Sequence, residues 1–306
     1  MPRLSRHKST FNILPLVLFL LTVVVIIFGV VQGFSTFHRS LSRQDDAKDL
    51  SELWAGNHYS EIKYLCETQL SDDPFDGESL FFNGASSFYM AISMVSLEDK
   101  IKYLESALIS LRRNLLTQNI IYEKETYYLL GKTYLHLGAY YSDLAIEYLL
   151  KARSLGYVNE DIDEYLAISY SRLGEYTLSI DYLSNMAKER PTPSIYLKMG
   201  QDAFNMGQYD LSRDYLLEAI KISPYDPIRQ DALLKLGELY FTIKNWGEAE
   251  KVLSQYLEID YNNADVHFKL GEVYHYLGDE VSARREWHRT ERLDPHHREA
   301  LLRLYN

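Results

Sequence analysis

Residues 196–224, YLKMGQDAFNMGQYDLSRDYLLEAIKISP, hold two glycines seven apart (Gly200, Gly207), Tyr209 two residues on, Ala219 ten after that, and a closing proline, Pro224. The apolar positions recur at intervals of three and four, which is the period of a helix and not of a strand. Gly207 falls where a tight reversal is needed, and Pro224 ends the second run. The stretch reads as two short antiparallel helices.

Shifted by roughly 34 residues, the chain matches itself. Tyr127–Leu130–Gly131–Tyr134, Leu233–Leu236–Gly237–Tyr240 and His267–Leu270–Gly271–Tyr274 align with Tyr196–Met199–Gly200–Ala203. In the second helices Ala145 precedes Leu149 by four, Ala249 precedes Leu253 by four, and Ala283 precedes Trp287 by four, while Pro191, Pro224 and Pro295 close three units. A glycine in the first helix allows close approach of a neighbour, and the bulky residues around it fill the gap. Thr192-Pro193, Asp226-Pro227 and Asp294-Pro295 read as N-caps with proline in the first helical turn. On these residues the chain resembles the tetratricopeptide repeat (TPR) family.

The resemblance implies an all-α solenoid, a right-handed superhelix of about seven helical hairpins, each burying its apolar face against the next. Two units depart from the pattern. Ala167 stands where a glycine is expected between Asp161 and Pro191, and Gly138 lies two residues further from Ala145 than Gly207 from Ser212. Between Gly84 and Gly131 the interval is 47, and MAISMVSLEDKIKYLESALISLRR predicts lengthened helices there. Ahead of that, Asp49 to Trp54, the turn Gly56-Asn57-His58 and the run from Ile62 to Leu65 predict one weaker hairpin. The divisions expected are a tail 1–10, an apolar segment 11–34, a linker 35–48, divergent units 49–124, clear repeats 125–295 and a capping helix 296–306.

Residues 11–34, FNILPLVLFLLTVVVIIFGVVQGF, carry no charge. At ~1.5 Å per helical residue they span a hydrocarbon core of roughly 30 Å, and they exceed the apolar run of a cleaved signal. The expectation is one N-terminal transmembrane helix acting as an anchor. Arg3, Arg6 and Lys8 lie closer to it than Arg39, Arg43 and Lys48, which places the short tail in the cytoplasm and the repeats outside it. No Asn-x-Ser/Thr sequon occurs, in keeping with a bacterial periplasm, and a single cysteine permits no intrachain disulfide.

The formal charge of −11 argues against nucleic acid as a partner. Enzyme signatures are missing too. His288, His296 and His297, with His267 and His275 nearby, lack the helical spacing of a metal set and read as a solvated cap. Asn159, Asp161 and Asp163 begin like a calcium loop, but Glu164 and Tyr170 stand where that loop needs glycine and glutamate. No glycine-rich phosphate loop or HExxH occurs. No cofactor is expected.

In the TPR family the first helices line a concave groove. Carried over residue by residue, the resemblance implies a groove of Tyr128, Lys132 and Leu135, then Glu164, Ile168 and Arg172, then Leu197, Gln201 and Phe204, then Leu234, Glu238 and Phe241, and last Phe268, Glu272 and His275. Lys132 and Arg172 are its only strong cations in this reading, so the Lys/Arg/Asn clamp of chaperone-tail binders is not expected. An aromatic and acidic groove suits an apolar or basic helix or extended segment of a protein partner. A second copy of the chain, or the solenoid's own ends, is the alternative occupant. The reading that results is a scaffold on the bacterial inner membrane, its repeats in the periplasm, serving secretion, pilus or flagellar, outer-membrane or division machinery. Two alternatives are a cytosol-facing receptor laid out like an amino-terminally anchored mitochondrial import receptor, and an enzyme subunit with a metal at its histidine-rich end.

Overall fold

The structure is a computed structural model whose described residues are 50–223 and 227–305. The apolar segment 11–34 and the linker 35–48 fall outside them, and among the described residues no helix is long and apolar enough to cross a membrane. The chain divides into two compact units, Met1–Pro74 and Phe75–Asn306.

In the first unit, α1 (helical over residues 50–55) and α2 (Tyr59–Asp72) meet at a tight turn. Asn57 takes the left-handed conformation at φ 59°, which asparagine tolerates, and the His58 amide donates to the Leu53 carbonyl at 2.9 Å. Ile62 and Cys66 carry the buried side of α2.

The second unit is a run of hairpins. They are α3 (Gly77–Ser93) with α4 (Leu97–Asn114), α5 (Glu123–Leu137) with α6 (Ser142–Ser154), α7 (Ile162–Arg172) with α8 (Tyr176–Glu189), α9 (Pro193–Asn205) with α10 (Tyr209–Ile222), α11 (Pro227–Thr242) with α12 (Trp246–Ile259), and α13 (Ala264–Leu277) with α14 (Glu280–Leu293). A short helix, α15 (Arg298–Tyr305), closes the row. Among the described residues there is no strand.

The glycines of the first helices explain the pairing. A Cβ added at Gly131, Gly200, Gly237 or Gly271 would stand 2.6–2.7 Å from Leu149, Leu216, Leu253 or Trp287, each on the second helix of the same hairpin. The bulky residue that fills the gap therefore comes from the partner helix, four positions after its small residue. Full burial of each such leucine contributes about 1.5–3 kcal/mol. In α7 and α8 the pair is Ala167 with Leu183, both buried.

The α3–α4 hairpin keeps this rule despite its length, because Gly84 faces Leu111 at 2.6 Å. Helix α3 runs nine residues beyond its glycine where α9 runs five, and α4 begins ten residues before its small residue Ala107 where α10 begins three before Ser212. The additions are four and seven residues, about one and two whole helical turns, so the buried faces stay in phase. The two extra residues before α6 are accommodated by a three-residue 3-10 turn, Ala139–Tyr141, after Gly138 at φ 129°.

Thr192 caps α9 through its hydroxyl, with Pro193 in the first turn. Asp226 lies outside the described residues. The third expected cap differs: Asp294 ends α14 and its carboxylate accepts the His296 amide, while α15 starts four residues on. The Ala300 amide donates to Nδ1 of His297 at 3.2 Å, so the imidazole supplies the cap. His297 is accordingly buried, not part of a solvated surface, whereas His288 and His296 are exposed.

Candidate docking groove on the first helices

Within the second unit the first helices form the inner layer, since α5 touches both α3 and α7, and α9 touches α11, across their intervening hairpin partners. Residues one turn either side of the helix glycines face this side.

At its amino end the predicted residues turn inward. Tyr128 is buried, and its hydroxyl donates to the Asp161 carboxylate at 2.6 Å. Burial first, and then the bond to Asp161, push that phenol well above its ordinary range. Lys132 is 7% exposed; its ammonium donates to Tyr128 Oη at 3.0 Å, pairs with Asp161 at 3.3 Å and lies over the rings of Phe88, Tyr128 and Tyr165 at 4.7–5.4 Å. A buried ammonium needs such a counter-charge and ring faces. Burial disfavours the charged form, but Tyr165 and Asp161 outweigh it and hold the lysine above its ordinary value. Leu135 is buried, Ile168 is half-buried, and Arg172 donates to the Leu135 carbonyl at 2.7 Å, satisfying the end of α5. Glu164 stands apart, in an open cleft of about 680 Å³ that also holds Val158, Glu160, Glu189 and Arg190.

The middle of the layer differs. Between α9 and α11 lies a cavity of about 330 Å³ lined by Lys198, Gln201, Phe204, Asn205, Lys235 and Glu238, with Gly200 and Leu216 at its base. Three predicted residues, Gln201, Phe204 and Glu238, meet here. Phe204 sits edge-on against Tyr209 at 5.6 Å. Leu197 is buried and Leu234 half-buried in the core beneath.

Toward the carboxyl end, Phe241 packs on Trp246 at 5.1 Å and Tyr276 at 6.1 Å. Phe268 packs with Ala283, Trp287 and Leu304 and lies 4.9 Å from the His297 ring. Glu272, 7% exposed, receives both guanidinium arms of Arg303 from α15, at 2.8 and 2.5 Å. His275 bonds Glu280 at 2.6 Å.

A feature the sequence reading missed is a column of lysines two residues before successive glycines: Lys198, Lys235 and Lys269. Their recurrence at the same offset was the available signal. Lys198 pairs with the fully buried Asp202, which also accepts from Ser171 and Ser179 at 2.6 Å, and Glu238 is held by Lys235 at 2.9 Å and Lys269 at 2.7 Å. Burial alone would raise Glu238, but the two lysines keep it below its ordinary value. The expectation of an acidic groove with two cations is thereby corrected. Glu238 is neutralised in place by lysines of its own and the next repeat and Glu272 by Arg303 of α15, while Glu164 stands exposed and Lys132 is consumed internally.

Among the described residues no group of three or more His, Cys, Asp or Glu could hold a metal ion. His267 instead is buried, with Nε2 donating to the Tyr261 carbonyl at 2.9 Å and Nδ1 hydrogen-bonded to the Glu286 carboxylate at 2.8 Å.

Comparison with known proteins bears on the fold. Residues 191–262 match the family model described as tetratricopeptide repeat. No curated protein sequence matches the chain. Among solved structures it is similar to the C-terminal part of a TPR repeat-containing protein from Cytophaga hutchinsonii, at 15% identity and TM-score 0.65 over 85% of this chain and 99% of that one. It is also similar to MamA (41-end) from Desulfovibrio magneticus RS-1, at 17% identity and TM-score 0.51 over 59% of this chain and 99% of that one. A third likeness is to the APC/C hetero-tetramer Cut9-Hcn1, at 16% identity and TM-score 0.50 over 84% of this chain and 48% of that one. The described residues form an all-helical, TPR-like solenoid, of which residues 191–262 match the tetratricopeptide repeat model.

Proposed function

We propose that this chain is a membrane-tethered scaffold that captures a segment of a protein partner in the cavity between α9 and α11. The observation that carries the reading is the cavity itself. Across about 330 Å³ it offers the Phe204 ring together with amide, ammonium and carboxylate groups of Gln201, Asn205, Lys235 and Glu238. An extended or helical segment placing one apolar side chain against Phe204 and backbone amides against Gln201 and Asn205 fits that lining. Because Glu238 and Glu272 are already paired, a basic residue of the partner gains only by exchange with Lys235 or Arg303.

The tether is the uncharged run 11–34, which places the repeats outside the cytoplasm of a bacterium by the flanking cations. A reporter fused after Asn306 and active only in the cytoplasm would reverse that topology in favour of the cytosol-facing alternative. For the groove, a photo-crosslinking residue at position 201 should form a protein adduct in cells, and one at position 181, on the outer face of α8, should not. Phe204→Ala should reduce the adduct by about tenfold, the worth of one buried ring contact. Equal adducts at 201 and 181, or none at 201, would remove the cavity as the docking site.

A further inference from the structure

The lengthened helix α4 carries an apolar stripe on its outward side. Leu104, Ala107 and Leu111 face the core, while about 120° round the helix Ile101 is 40% and Ile109 60% exposed, and Leu116, in the turn that follows the helix, is 75% exposed. At about 100° per residue, Ile101, Glu105, Leu108, Ile109 and Arg112 lie within roughly 100° of one another, and Leu116 follows on the same side because the cap residue Leu115 keeps a right-handed helical conformation. Other second helices show single exposed apolar residues, such as Leu150 on α6, Leu178 on α8 and Leu217 on α10, among polar neighbours such as Asp181, Asn185 and Lys188.

This stripe complements itself. If a second α4 crosses it antiparallel about a two-fold axis between Leu108 and Ile109, each residue meets the one at equal distance on the other side of that axis. Ile101 then meets Leu116, Glu105 meets Arg112, and Ile109 meets Leu108. Apolar residues oppose apolar ones, and the acid opposes the base, twice over. A two-fold contact demands this self-matching of one patch. Glu105 and Arg112 are both exposed; Arg112 also reaches the Tyr134 hydroxyl of α5. The two turns added at the start of α4 bring Ile101 onto the stripe.

The geometry points to a homodimer in which two copies of this chain pack α4 against α4 in antiparallel register. One helix pair covers less than the ~800 Å² per partner of a standard stable interface, so association in the micromolar range is expected, reinforced where two tethers share a membrane.

The test uses the full chain in detergent, where Cys66 is buried. Ile109→Cys sits beside the axis and should give a covalent dimer on mild oxidation, while Asp181→Cys should not. Glu105→Arg sets four arginines together and should lower cross-linking about tenfold. Glu105→Arg with Arg112→Glu should restore it, since the reversed pair attracts equally. Four results would overturn the proposal. They are a monomer at tens of micromolar by sedimentation, a dimer that does not cross-link through position 109, a Glu105→Arg variant that dimerises unchanged, and a double variant that stays dissociated. With the chain in lipid vesicles, a label at position 109 quenched by lipid-borne nitroxide would be a fifth, since a bilayer then covers the face.

Discussion

At the scale of single residues, His136 and Gly271 show how position decides chemistry. His136 lies 5.7 Å from the Phe88 ring, and burial, followed by the charges of Lys100, Lys132 and Arg172, lowers its pKa from 6.5 to about 4. Between those values the unfolded chain takes up a proton that the native protein refuses, so stability falls as pH drops from about 6.5 toward 4, with a slope approaching ~1.4 kcal/mol per pH unit for one proton. His136→Phe should flatten that segment of a urea-denaturation stability profile, and an unchanged profile would assign the loss to other groups. Gly271 needs no special backbone angle; it needs space. A Cβ there would stand 2.6 Å from two atoms of the rigid Trp287 indole. Gly271→Ala should cost about 1–3 kcal/mol by thermal or urea unfolding, the usual range for overpacking. The need for glycine was legible in its repetition. The object it makes room for was not, because Trp287 lies in the following helix.

At the scale of elements, α13 and α14 carry a substitution of one kind of pair for another. The slot filled by Tyr127 with Tyr148, Tyr196 with Tyr215 and Leu233 with Val252 in three hairpins is filled here by His267 and Glu286. Burial pushes Glu286 up, but His267 and Arg285 outweigh it and hold its pKa below the ordinary 4.5. A carboxylate lowered in the folded state contributes stability above its unfolded value and loses it as pH falls through the folded one, so this term fades only on acidification below about 4.5. Removing one partner, as in Glu286→Val or His267→Leu, should destabilise by about 3 kcal/mol because a polar group is stranded in the core. The double variant, which recreates the Leu233–Val252 pair, should recover most of it. A thermal-unfolding double-mutant cycle with no coupling would refute the His267–Glu286 bond. The sequence shows a histidine and a glutamate nineteen residues apart. Only the packing of the hairpin turns that interval into a contact.

At the scale of the whole second unit, polar bridges join the inner helices in series: Arg172 to Leu135, Lys198 to Ser171, Lys269 to Glu238 and Arg303 to Glu272. The cavity between α9 and α11 opens in the same row. Lys269→Met should lower stability by about 0.5–1 kcal/mol at low salt, a partly exposed pair being worth no more, and the difference should shrink in about 1 M salt. A salt-independent loss would mean that packing of the lysine stem matters more than its charge. The helical period, the glycine and alanine offsets and the turn residues determined the hairpins, their order and the lengthened α3 and α4, because each of these depends on neighbours within about twenty-five residues along the chain. Tertiary structure alone decided which groove charges are free. Lys132 turned inward, Glu238 and Glu272 were claimed by the next repeat roughly thirty residues away, and α4 kept an apolar outer stripe. Those outcomes depend on how one hairpin stacks on another, and side-chain direction across that stacking is not encoded in spacing along a single helix.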